Sequence, residues 1–319
     1  MRRFLLMASM LLLLTGAFSA CSDGGGGEDV LDDTTWPRVL KPQEGDISLV
    51  PLNSQIEVGD QRFAIGLLTE ENELSLNASL TFLFFTIEDE EGTLATEQPG
   101  TPVSLTESFV TMNEDGTLET RVGPEVGGYV AAVPFDRGGD WGVIVRGTLE
   151  DGSPVDLRLR FSVLDDSSIP RIGDPAPRSA QTVLRDVRDI VEIDSSNPPH
   201  PEMHEKTIAE ALDTGKPVVI AFATPAFCTS RICGPVVDEV IVPLLEKYGG
   251  QVEFVHVEPY DLDTARSGGG LVGVPALLEW GIRTEPWVFV VDAQGKVASK
   301  FEGIMTEFEV DAAIQQVLG

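Results

Sequence analysis

Cations are scarce in this sequence. Its 319 residues hold 22 Lys and Arg against 52 Asp and Glu, a formal net charge of −30. A phosphate backbone binds through a cationic face, so nucleic acid is excluded as a partner. An anionic membrane surface is an equally poor electrostatic match. Cysteine is rarer still, and the 3 present leave room for one pair at most. No G-x-S-x-G elbow serves Ser/His/Asp hydrolysis. Ser267-Gly268-Gly269-Gly270 lacks the Lys-Ser/Thr that completes a phosphate loop. No D-x-D-x-D-G run marks a calcium loop, and the acids at Glu88 to Glu91 read as solvated turn residues. What remains is an ordinary globular composition: 42% apolar residues and a mean hydropathy of +0.05. The length suits two domains.

The start of the chain addresses the compartment. Arg2 and Arg3 precede an apolar run from Phe4 to Leu14, too short to span a bilayer comfortably, and small residues follow. Residues 1–20 read as a secretory leader. Phe18-Ser19-Ala20-Cys21 resembles the lipobox of bacterial lipoproteins. That resemblance implies cleavage before Cys21, lipidation of that residue, and anchoring of an extracytoplasmic protein in the bacterial cell envelope, where each buried CH₂ contributes ~0.8 kcal/mol. Residues 21–36, with Gly24 to Gly27 and several acids, read as a solvated tether.

Residues 37–168 follow a strand grammar. Val155, Leu157, Leu159, Phe161 and Val163 alternate with polar residues, and Trp141, Val143 and Val145 do likewise. Glu150-Asp151-Gly152-Ser153 joins these two strands as a turn. Ala78 to Ile87 is a nearly continuous apolar run. Further strands are expected at Gln61–Leu68, Val103–Val110, Thr117–Val122 and Gly128–Pro134. The pattern predicts an antiparallel β-sandwich, immunoglobulin-like in the loose sense. After the polar hinge Asp165–Pro170, residues 169–319 alternate strands and helices: a helix over Glu202–Asp213, strands at Pro217–Ala223 and Gln251–Val257, a short helix at Pro275–Gly281, a hairpin of Trp287–Asp292 and Lys296–Phe301, and a terminal helix over Phe308–Leu318 with Phe308, Ala312, Ile314 and Leu318 toward the core.

One feature of this second half carries chemistry. With Cys21 lipidated, Cys228 and Cys233 remain as a C-x₄-C pair that invites a disulfide reading in an exported protein. A bond needs Cα atoms roughly 4.4–6.8 Å apart. Residues five apart on a regular helix are farther than that, at ~1.5 Å rise per residue plus their angular offset. A helix starting near Pro235 would leave 228–233 as a loop able to bring the sulfurs together. A helix starting at Thr229 would place Pro235 inside it and kink it.

The order of elements, the buried strand Val218-Val219-Ile220-Ala221-Phe222 before the cysteines, Glu285-Pro286-Trp287 at the opening of a later strand, and the Asp292–Gly295 hairpin together resemble the thioredoxin fold. Ile172-Gly173-Asp174-Pro175-Ala176-Pro177 is similar to the opening of membrane-anchored thioredoxin-like proteins and of peroxiredoxins. The resemblance implies thiol–disulfide exchange through Cys228 and Cys233, with Pro286 in cis and, with Glu285 and Arg231, beside a groove for a partner envelope protein. It needs no organic cofactor. Cys228 is the expected nucleophile. On an alternative alignment, Cys233-Gly234-Pro235-Val236 resembles the C-G-P-C of thioredoxins and Cys233 attacks. The motif departs from C-x-x-C, and no acid stands on the strand before it, where Ala221 and Phe222 lie. Two other readings stay open. Thr224-Pro225-Ala226-Phe227-Cys228 partly resembles the peroxiredoxin P-x-x-x-T-x-x-C motif, and peroxide reduction would follow. A non-catalytic envelope scaffold on the same fold is the other. His256, His200 and His204 show no ligand spacing to the cysteines, so no metal site is predicted.

Overall fold

A computed structural model describes residue 36 and residues 47–71, 73–112 and 118–319; the leader at 1–20, Cys21 and the expected tether up to residue 35 lie outside the described residues. The expected segments form β3 (Gly59–Thr69), β4 (Ser79–Glu88), the second half of β5 (Glu91–Met112), β6 (Leu118–Phe135), β7 (Gly139–Thr148) and β8 (Pro154–Leu164), and the sheet adds β1 (Ile47–Pro51), β2 (Ile56–Glu57) and the first half of β5, which the sequence pattern does not announce. They make one sheet in the order β1-β3-β6-β5-β4-β7-β8-β2. The sequence reading expects two stacked sheets. Instead a single sheet curls so that its halves face each other, because β5 belongs to both. Its first half pairs with β4 through Glu91–Gly100 and its second half with β6 through Thr101–Met112. The segments expected as two strands, 117–122 and 128–134, run on as the one strand β6.

Two glycines allow the close approach in β6. A Cβ on Gly127 would lie 2.3 Å from the Val103 carbonyl oxygen, and one on Gly128 2.3 Å from that of Ile65. Between the facing halves lies an aromatic cluster. Phe63 from β3 meets Phe84 from β4 edge-on at 5.0 Å, Phe84 meets Phe135 at 5.8 Å, and Phe135 meets Trp141 at 4.9 Å. On the outer side, Trp36 is buried against Phe85 at 5.6 Å. Trp36, expected as the last residue of the tether, is instead packed into the fold. A Cβ on Gly92 or Gly142 would lie within 2.1 Å or 2.3 Å of its side chain, so both strands leave it room.

The second sheet runs β10-β9-β11-β12, with β9 Val218–Phe222, β10 Glu253–Val257, β11 Trp287–Val291 and β12 Val297–Glu302. β10 is parallel to β9, and β11 is antiparallel to both β9 and β12. Both faces are covered, which is why β9 and β11 are apolar throughout. Val218, Ile220, Phe222 and Phe289 face a core shared with α1 (Ile208–Asp213) and Trp280. Val219, Ala221 and Val288 face α2, a helix that runs through Cys233–Pro235, a π-helical segment Val236–Ile241 and Val242–Tyr248. Short helices α3 (Leu262–Arg266) and α4 (Pro275–Glu279) follow, then α5 (Glu307–Leu318).

Two helix expectations change. Glu202–Asp213 is not one helix. Thr207 accepts the Glu210 N–H, and the Glu210 carboxylate accepts the Thr207 N–H, so α1 starts afresh behind a 3₁₀ turn at Pro201–His204. In α5 the buried face is Val310, Ala313 and Ile314, whereas Phe308 is 80% exposed. The i, i+3, i+4 stripe that meets the sheet turns Phe308 outward.

The two sheets share one core: Ala64, Val103, Leu105, Val126 and Val130 pack with Val236, Val240, Ile304 and Val310. Polar ties rim it, including Arg62 to Glu309 at 2.7 Å, the Thr106 N–H to Glu239 at 2.7 Å and the Ser54 N–H to Glu302 at 2.8 Å. If the aromatic cluster clasps the curled sheet, Phe84→Ala will cost about 3–5 kcal/mol in urea unfolding. A loss under about 1 kcal/mol would mean that the two halves are held elsewhere.

Candidate functional site

The helix start decides what the two cysteines can do. α2 begins at Cys233, so residues 228–232 are a loop. Arg231 turns it with left-handed backbone, φ 61°, and its N–H reaches the Cys228 carbonyl at 3.3 Å. Pro235 falls in the first helical turn, where no intrahelical amide bond is needed. Pro243 lies deeper. Its missing N–H and its ring disfavour a regular helix there, and the π-helical segment ends just before it, with the Val242 N–H bonded to Val237.

Both cysteines are free thiols; Cys228 is half-buried and Cys233 buried. Their sulfurs lie within 4.8 Å of each other and of a Glu285 carboxylate oxygen. The Cys228 sulfur is 3.3 Å from the Cys233 N–H, which donates to it, and 3.1 Å from the Ser230 hydroxyl. The Cys233 side chain, then Ser230 and the Cys233 and Ile232 amides, hydrogen-bond the Cys228 sulfur and bring its pKa down to about 6 against the opposing effect of burial. Burial, reinforced by the neighbouring Cys228, pushes the Cys233 thiol well up. The pair is therefore asymmetric: one reachable sulfur that ionises easily, one shielded sulfur that does not. Arg231, expected beside the groove, is exposed on the loop and does not line the cleft that Glu285 borders.

The sequence reading places Pro286 and Glu285 together beside a groove. The Glu285–Pro286 peptide is cis. Pro286 itself is buried, and Glu285 is the residue of the two that lines the cleft. This cleft, of about 370 Å³, is walled by Thr229, Ser230 and Ile232 on one side and by Arg283–Glu285 on another, and the Pro51–Ser54 segment of the curled sheet closes it. Glu285 accepts a 2.5 Å hydrogen bond from the Tyr260 hydroxyl. Burial raises the Glu285 carboxyl above its ordinary range, with the Tyr260 bond opposing and the nearby Cys228 adding to the rise. Sequence reasoning looked for an acid on the strand before the cysteines and found none. The acid comes from the opposite direction in the chain, across the fold.

Sequence reasoning set His204 and His256 aside for want of ligand spacing and did not single out Asp194. Their polar atoms all lie within 4.8 Å of one another, and all three residues are buried. The signal available was weak: three carriers of polar chemistry spread over sixty residues with no fixed spacing. The comparisons with protein-family models and with curated proteins return no match for this chain. Among the described residues no helix is long and apolar enough to cross a membrane.

The thiol asymmetry has a direct readout. Alkylation of the native reduced protein should modify Cys228 with a half-maximal rate near pH 6, the sign expected of a thiol whose ionised form is stabilised. Cys233 should react only after unfolding. Peptide mapping that found Cys233 modified first, or a midpoint near the usual thiol value, would reverse the assignment of roles.

Proposed function

We propose that this chain is an extracytoplasmic, lipid-anchored thiol–disulfide exchange protein of thioredoxin-like architecture. Its curled β-sheet, loosely immunoglobulin-like, forms part of the partner groove. Cys228 and Cys233 are the redox pair and Cys21 the lipidation site. The observation that carries the reading is the asymmetry of the thiols: an ionisable Cys228 sulfur bonded to the amide that opens α2, backed by a buried Cys233.

In the reductive direction the Cys228 thiolate attacks one sulfur of a partner disulfide. The partner S–S bond breaks, a mixed disulfide forms, and the other partner sulfur leaves as thiolate. Glu285, within 4.8 Å of both sulfurs, takes the Cys233 proton. The Cys233 thiolate then attacks the Cys228 sulfur. The Cys228–Cys233 disulfide forms, the second partner sulfur departs, and a proton from Glu285 or solvent completes it. The partner gains two electrons and the chain loses two. Run backwards, the same steps oxidise a partner. The Pro51–Ser54 wall of the groove would contact the partner segment that flanks the target disulfide.

The reduction potential of the pair in the full-length protein, measured in glutathione buffers by mass-shift alkylation, should fall between roughly −270 and −120 mV, the range of exchange proteins. A value below about −300 mV, or thiols that never pair, would leave a binding scaffold in place of a catalyst. Glu285→Gln should keep the potential but slow resolution, so that the mixed disulfide through Cys228 accumulates, by about 10²-fold at the lower end of general-base effects. Rapid peroxide consumption without a protein disulfide substrate would favour the peroxide-reducing alternative.

A further inference from the structure

Asp194, His204 and His256 come from three separate segments. Asp194 follows a 3₁₀ turn at Ile190–Glu192, His204 ends the 3₁₀ turn Pro201–His204, and His256 sits in the middle of β10. The His204 Nε2 atom is 3.2 Å from His256 Nδ1 and 3.3 Å from Asp194 Oδ2. His256 Nδ1 is 3.7 Å from Asp194 Oδ1. Zinc bonds of about 2.0–2.2 Å to nitrogen and oxygen place the ligand atoms of a tetrahedral ion about 3.3–3.6 Å apart. The two imidazole nitrogens, and His204 with Asp194 Oδ2, stand near that edge length, while His256 meets the other carboxylate oxygen, Oδ1; with one ligand atom from each residue, all three lie within 4.8 Å of one another.

Hydrogen bonds to the backbone fix His256 and Asp194 on either side of the His204 Nε2 atom. His256 Nε2 lies 2.9 Å from the Ala223 carbonyl and donates its proton there, which leaves the Nδ1 lone pair facing the other two residues. A ring nitrogen tied to a backbone carbonyl is the usual support of a ligating histidine. Asp194 is held by the Ser196 N–H at 2.8 Å and the His200 N–H at 2.7 Å, one on each oxygen, and each oxygen keeps a second lone pair. His204 and His256 both border a cavity of about 430 Å³. Glu258 lines the same cavity, and its Oε2 is buried without a hydrogen-bond partner.

We propose that Asp194, His204 and His256 bind a divalent transition-metal ion of the zinc class, with the fourth coordination position open to this cavity for water or a small anion. Imidazole and carboxylate donors suit such borderline ions. Three protein ligands and one open position are the arrangement of a reactive zinc site more than of a closed structural one. The site does not rest on the thiol reading, although Tyr260, which donates to Glu285, also lines this cavity.

The test uses the full-length Cys228→Ser/Cys233→Ser protein, stripped with a chelator and titrated with Co²⁺. The expected result is one equivalent bound, with the visible bands of a tetrahedral ion, no thiolate charge-transfer band, and displacement by Zn²⁺. In the same protein with unaltered histidines, Zn²⁺ should shift the imidazole nitrogen resonances of His204 and His256. His204→Gln should abolish the cobalt bands. The absence of a stoichiometric complex, or a complex that leaves both imidazoles unmoved, would overturn the proposal and leave the three residues as a hydrogen-bonded cluster sharing one proton.

Discussion

The chemistry of the thiol pair depends on one geometric constraint: the first free amide of α2 needs an acceptor, and the Cys228 sulfur supplies it. A helix leaves its opening N–H groups without intrahelical partners. Here the Cys233 amide finds the sulfur at 3.3 Å. That contact needs the loop Cys228–Ile232 to turn back sharply, which the left-handed Arg231 accomplishes. A helix begun five residues earlier would separate the sulfurs along its axis and leave neither stabilised. The Cys233 side chain, together with Ser230 and the Cys233 amide, lowers the pKa of the outer sulfur.

The curled sheet contributes more than a covering. Its Pro51–Ser54 segment is clamped by Glu302, whose Oε1 accepts both the Ser54 N–H at 2.8 Å and the Thr284 hydroxyl at 2.9 Å. Thr284 immediately precedes Glu285. One buried carboxylate thus ties the wall of the cleft to the loop that carries the acid facing the thiols. The shared core between the two sheets makes this tie rigid, since Ala64, Val103 and Leu105 pack on the same helix that begins at Cys233.

Much of the local structure was legible in the residues. The alternation in Val155–Val163 and the turn at Glu150–Ser153 appear as β7, β8 and their hairpin, with the Leu149 N–H bonded to Ser153. The apolar run at 218–222 appears as a strand buried on both faces. The misses share a cause. Phe308 looked like a core residue because it opens an apolar pattern, but which stripe of α5 meets the sheet is settled by the partner surface. The single curled sheet was invisible because nothing local announces that β5 pairs with β4 on one half and β6 on the other.

The sequence by itself determined most of the longer strands, the terminal helix and the short helix at Pro275, the acidic charge, and the reach of the C-x₄-C pair, because backbone periodicity, charge and chain length are local properties. Only the tertiary structure decided that Glu285 rather than an acid beside Ala221 stands at the thiols, and that Asp194, His204 and His256 converge. Those groupings arise from strand pairing and packing between segments far apart in the chain, and no spacing along the chain encodes a distance in space across a folded sheet.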